Sequence, residues 1–155
     1  MLLTNDGYTK LRDDLEKLIK VDLPYVVNML EETRPIGVSD EFPPEYLQAL
    51  DLQNRVEKKI MDLRELLNNC CLFNSSMVKK NGNDILIGFG CSVVLHNFNT
   101  NKDITYSLVS SFESDVQNGL ISIDAPFSKE MIGLKAGDYF EFNDNEYEIK
   151  SVSIL

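Results

Sequence analysis

The sequence predicts an α+β chain: an N-terminal antiparallel α-helical coiled-coil hairpin over residues 1–74, then a C-terminal antiparallel β-sheet domain with a short helix over residues 75–155. Three observations predict it. Apolar residues recur at helical steps as far as Leu67, the period turns extended from residue 85, and a proline-rich acidic stretch interrupts the helical half at about residues 35–45.

Thr4 and Asn5, both good N-cap types, precede Tyr8, Leu11, Leu15 and Leu18, whose steps of 3, 4 and 3 place them on one helix face. Lys10, Arg12, Asp13, Asp14 and Glu16 fall elsewhere, so a helix begins near residue 5. The stripe continues through Tyr25 and Met29, flanked by Val26, Val27 and Leu30. Pro24 lies inside it, removes one backbone donor and predicts a kink. Pro35 ends this helix near Arg34.

In the second helix, Tyr46, Ala49, Gln53, Val56, Ile60, Leu63 and Leu67 advance by 3, 4, 3, 4, 3, 4, a heptad seam. Pro43, Pro44 and Glu45 suit its start, because proline is tolerated in a first turn and a carboxylate there complements the dipole. Asn68 and Asn69 suit its end. Two seams joined by so short a connection pack antiparallel.

From residue 85, "DILIGFGCSVVLHNF", "ITYSLVSSF", "GLISIDAP" and "DYFEFNDNEYEIKSVSIL" are short runs rich in Ile, Val, Tyr and Phe, which favour strands. The turns are "NGND", "NTNKD", "QNG" and "NDNE". "SKEMIGLKAGD" holds a short helix, with Ser128 as its cap and Gly133 as its stop. His96 stands in an alternating strand as a surface residue, with no partner assignable from sequence.

Composition narrows the function. With 43% hydrophobic and 26% charged residues and no apolar run of membrane-spanning length, a folded, soluble chain with no membrane partner is expected. The N-terminus has no basic region or apolar core of a signal peptide, which predicts a cytoplasmic location. Cys70, Cys71 and Cys91 lack the spacing of a metal site and read as reduced and structural. The net charge of −10 divides evenly, −5 on residues 1–74 and −5 on residues 75–155. Such a surface repels phosphate backbones, so no independent sequence-specific DNA binding is expected. No GxSxG, P-loop, HExxH or GxGxxG element is present, and no self-contained enzyme is expected.

The opening "LTNDGYTKLRDDLEKL", the helix "LPYVVNMLEETRPIG", the "EY" that begins the second helix, the "EKKIMDLRELL" that ends it and the segment "ISIDAPFSKEMIGLKAGD" resemble, in this order and spacing, the bacterial Gre transcript cleavage and elongation factors. The resemblance implies a C-terminal domain similar to FK506-binding proteins that docks beside the secondary channel of RNA polymerase, and a coiled coil that enters the channel. It also implies carboxylates at the tip that help hold the polymerase's second Mg²⁺ and the attacking water; the factor itself has no cofactor. The nascent RNA 3′ end is then a neighbour within the complex. Mg²⁺ favours octahedral oxygen ligands, and two-metal hydrolysis holds its ions about 4 Å apart.

On this resemblance Asp40 and Glu41 are the assisting catalytic and metal-binding acids, Phe42 and Glu45 are further tip contacts, and Asp124 and Pro126 are the docking residues. The match is incomplete at the tip. The family's pattern, Gly-Asp-Leu-x-Glu-Asn-x-Glu-Tyr, here reads "GVSDEFPPEY", one residue longer, and neither register restores both acids. In the docking motif Asp124 and Pro126 match while Ala125 replaces a serine. The expected function is stimulation of the polymerase's own cleavage of backtracked RNA. The alternative is a secondary-channel modulator or inhibitor without cleavage stimulation, as inhibitory members of such a family are.

Overall fold

A computed structural model of the chain describes residues 1–35 and 42–155; Asp40 and Glu41 lie outside the described residues. The chain forms two compact units, one of Met1 with Tyr8–Cys70 and one of Leu2–Gly7 with Cys71–Leu155.

The first unit is helical. Helix α1 runs Asn5–Lys17, a π-helical segment follows at Leu18–Asp22, and helices α2 and α3 span Leu23–Thr33 and Pro44–Asn68. Helices α2 and α3 pack through Val26, Val56 and Ile60, which are buried together, with Leu15, Leu18, Ile19 and Leu23 against them. Along α3, Tyr46, Ala49, Gln53, Val56, Ile60, Leu63 and Leu67 are buried or half-buried, and among the other residues of the helix only Leu66 is not exposed.

Pro24 acts upstream of itself. It has no N–H for the usual i−4 bond, and the turn before it widens, with the Leu23 N–H donating to the Leu18 carbonyl five residues back. A π turn takes up about one residue more than an α turn, so the apolar stripe shifts by one place. The expectation that Tyr25 continues the stripe is corrected: Val26 is 2% exposed and Tyr25 is 63% exposed.

In the second unit, strand β1 (Leu2–Leu3) pairs parallel with β2 (Cys71–Leu72), and the Phe73 N–H donates to the Leu3 carbonyl at 2.7 Å. Strands β3 (Lys80–Asn81) and β4 (Asp84–Ile85) form a small hairpin around Gly82, whose φ of 62° is open to glycine at no steric cost. The main sheet contains β5 (Cys91–Asn97), β6 (Lys102–Val109), β7 (Leu120–Ser122), β8 (Tyr139–Phe142) and β9 (Asn145–Ile154), in the order β7-β6-β5-β9-β8. Asn143 and Asp144 take positive φ between β8 and β9, as a two-residue hairpin turn requires.

The sheet is not wholly antiparallel. Edge strand β7 runs parallel to β6, pairing Ser107 with Leu120 and Val109 with Ser122. The connection 110–119, with a short 3₁₀ turn at Val116–Asn118, carries the chain back to the start of the pairing instead of turning it tightly over.

Helix α4 (Pro126–Met131) packs on this sheet. Its start also departs from expectation. Pro126 occupies the first turn after Ala125, and Ser128 is fully buried within the helix, so it does not cap it. Gly133, at φ 85°, follows the helix as expected. The core beneath gathers Ile87, Val93, Leu95, Leu108, Ile121, Met131, Phe140, Tyr147 and Ile149.

The register shift at Pro24 is testable by truncation. Val26→Ala should destabilise the helical unit by about 2 kcal/mol, while Tyr25→Ala should stay within about 0.5 kcal/mol of the parent. Urea unfolding followed by helical circular dichroism measures both; equal losses would restore the unshifted stripe.

Candidate partner-docking site

The segment that follows β7 is fixed by one residue. The Ser122 carbonyl accepts the Ala125 N–H at 3.0 Å and the Ser128 hydroxyl at 2.6 Å, while the Ser122 hydroxyl oxygen accepts the Asp124 N–H at 3.2 Å. The Ile123 N–H donates to the Val109 carbonyl at 2.8 Å, which ties the segment to the sheet. Pro126 then fixes the entry into α4. Ser128, expected as a cap, is therefore the internal post of this turn.

This framework holds Asp124 and Pro126 exposed at the surface. An ionised carboxylate on a turn with few remaining degrees of freedom can accept charge-assisted hydrogen bonds from a partner's Arg or Lys with little ordering cost. Beside it opens a cleft of about 350 Å³, lined by Tyr106, Ala125, Phe127, Phe142 and Tyr147 among others. The sequence did not reveal this cleft, because its rings come from β6, α4, β8 and β9. The available signal was the aromatic alternation of "YFEF" and "EYEI", which marks one face of each strand.

At the start of α3, Phe42 is 57% exposed and its ring stacks on Tyr46 at 5.4 Å between centroids. Glu45 is exposed in the first turn, where a carboxylate favours the helix N-terminus. The fold thus brings Phe42 onto the first residue of the α3 seam. It places Asp124 and Pro126 in the other unit.

His96 does have a partner. Its Nδ1 lies 2.6 Å from Asp103 Oδ1, directly across the β5–β6 ladder, and Lys150 Nζ reaches Asp103 Oδ2 at 3.3 Å. The Phe98 ring meets the imidazole edge to face at 5.0 Å. Hydrogen bonding from His96, then from Lys150, holds the Asp103 carboxyl below the usual carboxylate value. The cysteines are free thiols, and burial pushes that of Cys91 up. Among the described residues, no group of three or more His, Cys, Asp or Glu could hold a metal ion, and no helix is long and apolar enough to cross a membrane.

Two family models match the chain. "Transcription elongation factor, N-terminal" covers residues 1–71, and "Transcription elongation factor, GreA/GreB, C-term" covers residues 83–154. Among curated proteins, the transcription elongation factor GreA of Alkalilimnicola ehrlichii is 32% identical over 97% of this chain and 95% of its own. That of Helicobacter hepaticus is 33% identical over 97% and 91% respectively. Of solved structures, the GreA factor homolog 1 of Thermus thermophilus covers 99% of this chain and 98% of its own, at 22% identity and a TM-score of 0.44.

The His96–Asp103–Lys150 group gives a pH signature. A carboxylate with a depressed folded value stabilises fully above its unfolded value, ordinarily 3.8, and loses that contribution as the pH falls through the folded value. Asp103→Asn should therefore lower the thermal midpoint at neutral pH, and the gap to the parent should close below pH 3.8. A gap that is independent of pH would exclude this electrostatic role.

Proposed function

The chain belongs to the GreA/GreB family of transcription elongation factors, and from that premise we propose that it binds RNA polymerase and acts through the polymerase's secondary channel. In this reading the helical unit is an antiparallel coiled coil that enters the channel, and the sheet unit is an FKBP-like docking domain. Asp124 and Pro126 present the docking contact. The chemistry belongs to the polymerase and its Mg²⁺; this cytoplasmic protein is an accessory factor with no cofactor of its own.

The observation that carries the docking half is the Asp124 turn, held by Ser122 and Ser128 and with Asp124 and Pro126 exposed. A net charge of −10 agrees with affinity drawn from protein contacts, not from nucleic acid. At the tip, Asp40 and Glu41 are the acids that supply oxygen to the metal-bound hydrolysis of backtracked RNA, whose 3′ end lies within the complex. Phe42 and Glu45 contact the channel wall.

A second reading, a channel modulator without cleavage stimulation, is favoured by one feature. An aromatic ring stands exposed on Tyr46, just after the two acids and at the head of the α3 seam. There it can pack against an apolar wall whatever the acids do.

Transcript cleavage by stalled polymerase complexes separates the readings. The wild type should accelerate cleavage, and the double variant Asp40→Ala, Glu41→Ala should lose that acceleration while still competing with the wild type for polymerase. Asp124→Ala should weaken binding about tenfold, the size of a lost charge-assisted hydrogen bond. A wild type that slows nucleotide addition and leaves cleavage unchanged selects the modulator; one that never binds polymerase overturns both.

A further inference from the structure

We propose that Glu113 is a latch that completes the N-terminal cap of helix α1 from the other end of the sequence, and that Gly7 is glycine to make room for it. Thr4 is the N-cap residue: the Gly7 N–H donates to its Oγ1 at 3.0 Å. In a capping box, a Glu or Gln at the third helical position reaches back to accept the N-cap N–H. Here that third position is Gly7, which has no side chain. The Thr4 N–H donates instead to Glu113 Oε1 at 3.1 Å, and the Thr4 hydroxyl donates to the same oxygen.

The other carboxylate oxygen is held just as firmly. Glu113 Oε2 accepts the Ser110 hydroxyl at 2.7 Å and the Ser110 N–H at 3.3 Å. Glu113 is only 7% exposed, and among the described residues no Lys, Arg or His pairs with it. A buried carboxylate without a cation needs several donors and a favourable dipole, and the first turn of a helix offers both. A Cβ on Gly7 would sit 1.8 Å from Glu113 Oε1, so the space of the missing side chain is the space of the carboxylate.

The contact spans 109 residues and lies within the unit of Leu2–Gly7 and Cys71–Leu155. With the β1–β2 pairing it fixes residues 2–7 to the connection between β6 and β7, and α1 begins from that fixed point. Glu113 is thus a positioning residue.

Hydrogen exchange on the full chain tests the latch, with Gly7→Ala as the informative variant. An ordinary Gly→Ala change inside a helix stabilises it. Here it should raise exchange of the Thr4 and Gly7 amides about tenfold and lower the thermal midpoint, because the new methyl displaces the carboxylate. Adding Glu113→Asp, one methylene shorter, should recover part of the protection in the Gly7→Ala background, though Glu113→Asp alone loses some. Slower exchange and a raised midpoint in Gly7→Ala, or no recovery in the pair, would overturn the latch.

Discussion

The second unit depends on how a six-residue helix is seated. A helix as short as α4 has no stability of its own in water, and tertiary burial must hold it. Phe127 does this by packing edge-on against four other rings, Tyr106, Phe140, Phe142 and Tyr147, at centroid distances of 5.2 to 5.7 Å. Met131 is fully buried one turn later, and Ser128 between them ties the helix to Ser122. The aromatic cluster and one hydroxyl therefore set the place of Asp124 and Pro126. The cleft is the unfilled margin of the same cluster, so the Asp124 turn and the cleft share their supports.

Sequence periodicity revealed the elements whose stability comes from repetition along the chain. The α3 seam was legible because seven residues from Tyr46 to Leu67 obey one step rule and all are buried or half-buried. The start of α1 at Thr4 and Asn5 was legible from cap chemistry. The strand runs and their turns were legible from β-branched and aromatic content. Elements decided by a distant partner were not. Nothing around Ser128 distinguishes a cap from a buried post, and only the Ser122 carbonyl decides between them. His96 gained its role from Asp103 across a ladder, and β7 took its parallel direction from a connection with no strong pattern.

Glu113 illustrates the same limit in the candidate machinery. In sequence it is one acid in "SSFESD", and Gly7 is an ordinary weak point in an amphipathic helix. Their pairing becomes visible only when the chain end is folded beside residue 110. For the tip, residue identity alone shows a family-like acidic segment with a changed length, and Phe42 on Tyr46 adds a contact that spacing could not supply.

The five-residue π segment before Pro24 gives α1 and α2 separate phase along the sequence. One residue corresponds to about 100° of rotation around an α-helix, so the face of α2 is indexed from Leu23, not from Tyr8. Removing a single residue between Leu18 and Asp22 would return the turn to ordinary pitch, and because the lost residue and the lost widening cancel, α2 would keep its phase. Restoring ordinary pitch with all five residues kept would instead turn the bulky phenol of Tyr25 toward Val56 and Ile60 in place of the small Val26. The π turn thus absorbs one extra residue, and any graft or shortening of this stretch has to keep residue count and pitch matched.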